Sequence, residues 1–166
     1  MKKQRASSLE LRDAFDQWQV QVHGYCILPN HYHLLLHTPQ GGLSQAMQRL
    51  SSRFTQAINR GRGRDGPLFK GRFRSIVIND EAHLVRVSRY IHLNPVEAGL
   101  VVAPQDWGWS SAGAYLGLAP RPEWLHVAEL LGMFGTANPV AAYADYLAAD
   151  DDKGDKKGSD PSRKRI

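Results

Sequence analysis

The chain has 166 residues, 42% of them hydrophobic and 22% charged. This is ordinary globular usage, which excludes collagen-like, wholly disordered and coiled-coil chains and suits one domain, or one domain with a small appendage. Lys and Arg number 21 against 16 Asp and Glu, a net charge of +5 that favours a polyanionic partner. The one cysteine, Cys26, excludes an internal disulfide and a Cys-rich zinc framework. The N-terminus carries no apolar signal core, and no apolar run approaches the ~18 residues of a membrane span. The expected setting is therefore soluble and cytoplasmic, with no membrane partner.

Ser7 and Glu10 are spaced as a capping box, and Leu11, Ala14, Phe15 and Trp18 follow on one helical face. Val20 and Val22 alternate with Gln21 and His23 as in a strand, and Leu28-Pro29-Asn30 reads as a turn. A second strand is expected from His31 to Thr38, with His31, His33, Leu35 and His37 on one face. Leu43, Met47, Leu50, Phe54 and Ile58 mark a helix after the Pro39–Gly42 break. A glycine- and arginine-rich loop spans Gly61–Gly66, and Leu68–Ile78 looks like a strand with Arg72 and Arg74 opposite Phe73. Asn79 or Asp80 caps a helix expected to stop at Asn94, before Pro95, with Leu84, Val87, Ser88 and Ile91 buried.

Beyond that point the spacing predicts a short helix from the Trp107–Ser111 segment to about Gly117 and a helix over Pro122–Leu131. A last helix begins at Asn138-Pro139 and ends near Ala149. Residues 150–166 carry one apolar residue, Ile166, and read as a disordered charged tail. The expected division is a core over 1–104, a helical extension over 105–149 and the tail.

Three features carry chemistry. His31 and His33 are spaced i, i+2, about 6.5–7 Å apart on one strand face, so their imidazoles can converge on a divalent ion. Packed or surface histidines show the same spacing. Tyr90 and Asn94 lie one helical turn apart; a phenol can act as a nucleophile and an amide oxygen as a hard ligand, although a core edge and a helix stop look alike. Residues 49–74 contain Arg49, Arg53, Arg60, Arg62, Arg64, Lys70, Arg72 and Arg74 against one acid, Asp65. So lopsided a stretch beside Phe69 and Phe73 fits a phosphate track with stacking platforms, as well as a solvated face. Together the features fit a metal-assisted attack of a tyrosine on a phosphodiester.

Tyr25-Cys26-Ile27-Leu28-Pro29-Asn30-His31-Tyr32-His33-Leu34-Leu35-Leu36 resembles the HUH segment of single-tyrosine transposases, specifically the REP-associated tyrosine transposases. Arg89-Tyr90-Ile91-His92-Leu93-Asn94-Pro95-Val96-Glu97-Ala98-Gly99-Leu100-Val101 is similar to that family's nucleophile helix. Gly66–Arg74 and Trp109–Gly117 resemble its connecting segments. The resemblance implies a ferredoxin-like α+β fold with an antiparallel sheet, and cleavage and rejoining of single-stranded DNA at hairpin-forming palindromic repeats. It implies a Mg²⁺ or Mn²⁺ cofactor on His31, His33 and Asn94, with Tyr90 as the nucleophile that links to a 5′-phosphate. Hairpin DNA held by Arg49, Arg53, Arg62, Arg64, Lys70, Arg72 and Arg74 is the expected partner, and the chain is expected to be a monomer or homodimer.

The chain departs from the family at Tyr32, where an aliphatic residue is usual, and at His92, where relatives often carry an acid. It also begins at the first helix, where relatives have a preceding strand. A truncated, catalytically inactive hairpin-binding protein is therefore the alternative, with an RNA-directed or structural metal protein third. Of the remaining residues, His23 reads as surface or edge, His83 as capping or solvent-facing and His126 as surface. Trp107, Trp109 and Trp124 read as core anchors, Tyr143 and Tyr146 as helical core or edge, and Cys26 as buried. His37 is left outside the ligand set because the resemblance does not call on it.

Overall fold

In the computed structural model of the chain, the described residues are 15, 17–135 and 137–149. The capping box at Ser7 and Glu10, most of the helix after it and the tail from 150 lie outside them.

Two antiparallel strands, β1 (Gln21–Ile27) and β2 (Tyr32–His37), form a hairpin. Its turn closes where the Leu28 N–H donates to the His31 carbonyl at 2.8 Å. His31 thus belongs to the turn, and the strand begins one residue later than expected. Cys26 faces His33 and Gln21 faces His37, with a register shift between Val22 and Gly24. The extra residue there is His23. A bulge breaks the period of two, and Val22, His23 and Gly24 are buried in succession. His23 is only 4% exposed, which corrects its reading as a surface or edge residue.

Helix α1 (Leu43–Arg62) buries Ala46, Met47 and Leu50, as its spacing predicts. Gly42 caps it with a left-handed φ of 76°, and a Cβ there would come within 2.8 Å of the Trp18 ring. Backbone and packing therefore both require glycine at this position. Arg60 and Arg62 occupy the last turn, where cations complement the exposed carbonyls.

The strand expected over Leu68–Ile78 is not formed. Among the described residues the sheet has two strands, and this segment has no ladder partner. Ile76 and Val77 are 62% and 76% exposed, while Phe73 and Ile78 pack on the core. β-propensity reflects fit to a neighbouring strand, and without one it makes no ladder.

Helix α2 (Glu81–Glu97) starts at Asp80, whose Oδ1 accepts from the His83 backbone N–H at 2.7 Å. It does not stop at Asn94: buried Pro95 lies inside it. Proline removes one helical hydrogen bond, but closure lies just beyond. The Leu100 N–H donates to the Pro95 carbonyl and the Gly99 N–H to the Val96 carbonyl, both at 2.9 Å, with Gly99 left-handed.

The C-terminal part holds a 3₁₀ turn (Pro104–Asp106), α3 (Ala112–Tyr115), α4 (Ala128–Gly132) and α5 (Pro139–Ala148), the last capped by Asn138 as expected. The helix expected over Pro122–Leu131 is shorter because Leu125 forms a parallel bridge with Val22 and the His126 N–H donates to the Val22 carbonyl. Cys26 forms an antiparallel bridge with Ser110. One core, including Phe15, Cys26, Leu35, Ile91, Tyr115 and Leu130, joins hairpin, helices and extension in an α+β fold.

Candidate active site

Hairpin β1–β2 packs against α2, which sets the end of the turn beside the middle of the helix. The His31 and His33 rings are 4.9 Å apart and nearly perpendicular, at 89°. The His33 ring lies 5.2 Å from the Tyr90 ring at 78°. His31 is exposed, and His33 and Tyr90 are half-buried. The His31 Nδ1–H donates to Asn30 Oδ1 at 2.7 Å, which leaves Nε2 as the lone-pair nitrogen. Asn94 sits one turn beyond Tyr90, 7% exposed. Two imidazoles and a phenol thus meet here, with the His31 ring exposed and His33 Nε2 buried.

The basic residues lie in separate pieces. Tyr32, on the face opposite His33, packs against Phe69 at 5.8 Å, and Phe69 against Phe54 at 6.1 Å. This aromatic run ties the segment that carries Lys70, Arg72 and Arg74 to both α1 and β2. Those three side chains are exposed, and half-buried Phe73 lies between the two arginines. Arg62 and Arg64 are exposed around the end of α1, where Asn59 holds the loop through its side-chain N–H to the Gly66 carbonyl at 2.8 Å. Arg49 and Arg53 share a shallow hollow on α1 with Trp18, Gln45 and Gln48.

His37 does not join the His31–His33 pair. It lies with His23 and Glu129, whose ligand atoms all fall within 4.8 Å of one another, a group with the donors and spacing to hold a divalent metal ion. Burial lowers the pKa of His23, with His126 and His37 acting in the same direction and Glu129 opposing. No local signal could have found this group, because its members come from β1, β2 and α4. His126 is exposed, as expected. Trp107 anchors the extension through its indole N–H to the Ile27 carbonyl at 2.9 Å, and Trp124 packs on Tyr25 at 5.7 Å. Cys26 is fully buried, and desolvation raises its thiol pKa to about 11, so it is no nucleophile.

His92 also has a partner set that the sequence reading missed. It is 1% exposed, with Nδ1 2.6 Å from the Tyr143 hydroxyl and Nε2 2.7 Å from Ser111 Oγ. Burial lowers its pKa to about 3. The available signal was the Ser88–His92 pair at i, i+4 beside the buried stripe of α2.

A family model described as "Transposase IS200 like" matches residues 3–94, more than half of the chain. The chain belongs to the IS200-like transposase family. A Haemophilus influenzae protein that carries the name REP-associated tyrosine transposase is 31% identical over 117 residues, 61% of this chain. The match spans 66% of that protein, just under two thirds of its length. A solved REP-associated tyrosine transposase bound to a REP hairpin superposes with a TM-score of 0.62 at 21% identity, covering 72% of each chain. That likeness supports the fold. No helix among the described residues is long and apolar enough to cross a membrane.

Proposed function

We propose that this chain is a tyrosine transposase and single-strand DNA endonuclease that cleaves and rejoins hairpin-forming palindromic repeats. The observation that carries this reading is the Tyr90 ring against His33, with His31 beside it. The relative's name and the hairpin in the solved neighbour support DNA of this type as the partner. In this reading residues 1–104 form the nuclease core and 105–149 a buttress behind it. The protein works in the cytoplasm, as a monomer or homodimer.

Tyr90 Oη attacks phosphorus as its proton leaves. The Oη–P bond forms, the bond from phosphorus to the 3′-oxygen breaks, and that oxygen leaves as a hydroxyl once it gains a proton. The piece on the 3′ side of the cut stays on Tyr90 through its 5′-phosphate as a phosphotyrosine, and a second 3′-hydroxyl can reverse the step without ATP. His31 Nε2, His33 and the Asn94 amide oxygen would hold Mg²⁺ or Mn²⁺ as a mixed donor set. When bound, such an ion supplies Lewis-acid stabilisation of the charge on the phosphate. Arg49, Arg53, Arg62, Arg64, Lys70, Arg72 and Arg74 bind the backbone phosphates and fix the strand's register.

The test is an end-labelled DNA hairpin incubated with the full chain and Mg²⁺ or Mn²⁺, read as an SDS-stable adduct. Wild type should form the adduct, and Tyr90→Phe should bind the hairpin equally well without forming it. An adduct that persists in Tyr90→Phe removes that residue from the mechanism. Arg72→Ala should weaken binding evenly across sequences and lower the salt slope by about 1. The second reading, a hairpin-binding protein without cleavage, is favoured by the small sheet of the described residues, which has two strands. Salt-sensitive wild-type binding with no adduct in either metal would establish it.

A further inference from the structure

We propose that His23, His37 and Glu129 form a second metal site, separate from the Tyr90 site, which takes Zn²⁺ and fastens the C-terminal segment to the hairpin. His37 lies four residues beyond His33 on β2, roughly 13 Å along the strand. The two histidine groups therefore sit at opposite ends of the hairpin.

His23 is the central argument. The bulge turns it inward, where it is 4% exposed and neither ring nitrogen has a hydrogen-bond partner. Leaving a buried polar group unsatisfied costs about 1–3 kcal/mol, so a chain that builds a bulge to bury this imidazole has a use for it. Its Nε2 lies 3.6 Å from Glu129 Oε2. That is too long for a hydrogen bond and close to the ~3.3 Å between two ligands on a tetrahedral ion with 2.0–2.1 Å bonds.

His37 is prepared in the way metal-binding histidines usually are. Its Nδ1–H donates to Gln21 Oε1 at 3.1 Å, which fixes the tautomer and leaves Nε2 to bind. Gln21 is its cross-strand neighbour, so the hairpin register itself supplies this support. Two imidazoles and a carboxylate at this close spacing suit zinc. The fourth tetrahedral position falls to water or to His126, whose ring is 5.8 Å from that of His23.

The consequence is mechanical. Glu129 lies on α4, just after the Val22–Leu125 bridge and the backbone bond from His126 to Val22. A metal shared by β1, β2 and α4 reinforces the backbone bond that joins His126 to Val22.

The experiment uses the full chain and Zn²⁺ alone, with affinity read by competition against a chromophoric chelator and stability by thermal melting. One Zn²⁺ should bind at this site and raise the Tm. His37→Ala and Glu129→Gln alter exposed side chains, so their folds should survive, and each should lower this affinity at least ~10-fold and abolish the Tm gain. His33→Ala, at the other end of the hairpin, should keep both. Unchanged Zn²⁺ affinity in His37→Ala and Glu129→Gln, loss in His33→Ala alone, or no binding by wild type would overturn the proposal. None of these readouts depends on DNA cleavage.

Discussion

Helix α2 presents two tyrosine–histidine pairs to opposite sides. Tyr90 meets His33 with both rings half-buried at 5.2 Å. Two residues on, His92 meets Tyr143 in a site where neither is exposed, with 2.6 Å between nitrogen and oxygen. The residue types are the same and burial separates the roles. The half-buried pair lies beside the exposed ring of His31. In the closed pair each polar atom is turned to a protein partner, and desolvation raises the Tyr143 pKa and lowers that of His92. A tyrosine beside a histidine is therefore not in itself a reactive group; access to solvent and substrate decides.

Exchanging phenylalanine into each pair breaks this comparison most directly. Tyr90→Phe should reduce covalent adduct formation on the order of 10³-fold or more, with a smaller loss of Tm than Tyr143→Phe. Tyr143→Phe should leave the adduct yield intact and cost about 1–2 kcal/mol, because the His92 Nδ1 lone pair loses its donor. Adduct assays and melts of both variants check the split, and equal Tm losses would mean that the two pairs are structurally equivalent.

The buried pair has a larger stability effect at its histidine. His92→Ala leaves a cavity and orphans Ser111 and Tyr143, for a loss of roughly 3 kcal/mol, or about 6–12 °C in Tm for a chain of this size. The same residue sets a pH dependence. Its pKa is about 3 in the fold and about 6.5 unfolded. Between those values the unfolded chain takes up a proton that the folded chain refuses. This contribution is complete above pH ~6.5 and falls as the pH drops toward 3, with a slope of up to about 1.4 kcal/mol per pH unit. The groups that face His92, Ser111, Tyr115 and Tyr143, are uncharged across that window. Denaturant melts between pH 7 and pH 4 should show the slope, and His92→Gln should flatten it.

The two sides of α2 also differ in how legible they were in the sequence. The open side was readable because its parts are local: a period-two strand, an i, i+4 pair and an Asp80 cap, combined through likeness to a known family. The closed side depends on contacts between distant positions, such as His92 with Tyr143, 51 residues apart, and His23 with Glu129. A bulge has no composition cue at His23, since one inserted residue shows only against its partner strand. Leu68–Ile78 failed for a related reason: its residues favour a strand, but pairing is a property of two segments. Pro95 misled because a buried proline in the last turn loses one bond while the Gly99 closure supplies two.

The smallest expected effect fixes where the protons lie in the buried network. Ser111 Oγ accepts from the Tyr25 N–H at 2.9 Å and donates its own proton to the Tyr25 carbonyl at 3.2 Å. Its remaining lone pair must accept from His92, which places the imidazole proton on Nε2. Nδ1 is then an acceptor, and the Tyr143 proton points to it across 2.6 Å rather than to Ser88 Oγ at 3.3 Å. Ser88 meanwhile donates to the Val85 carbonyl at 2.8 Å within the same helix turn. Ser88→Ala should therefore change stability by less than about 0.5 kcal/mol, since no buried donor loses its acceptor. A loss as large as that of Tyr143→Phe would reverse the assignment, putting the imidazole proton on Nδ1 and the tyrosine proton on Ser88.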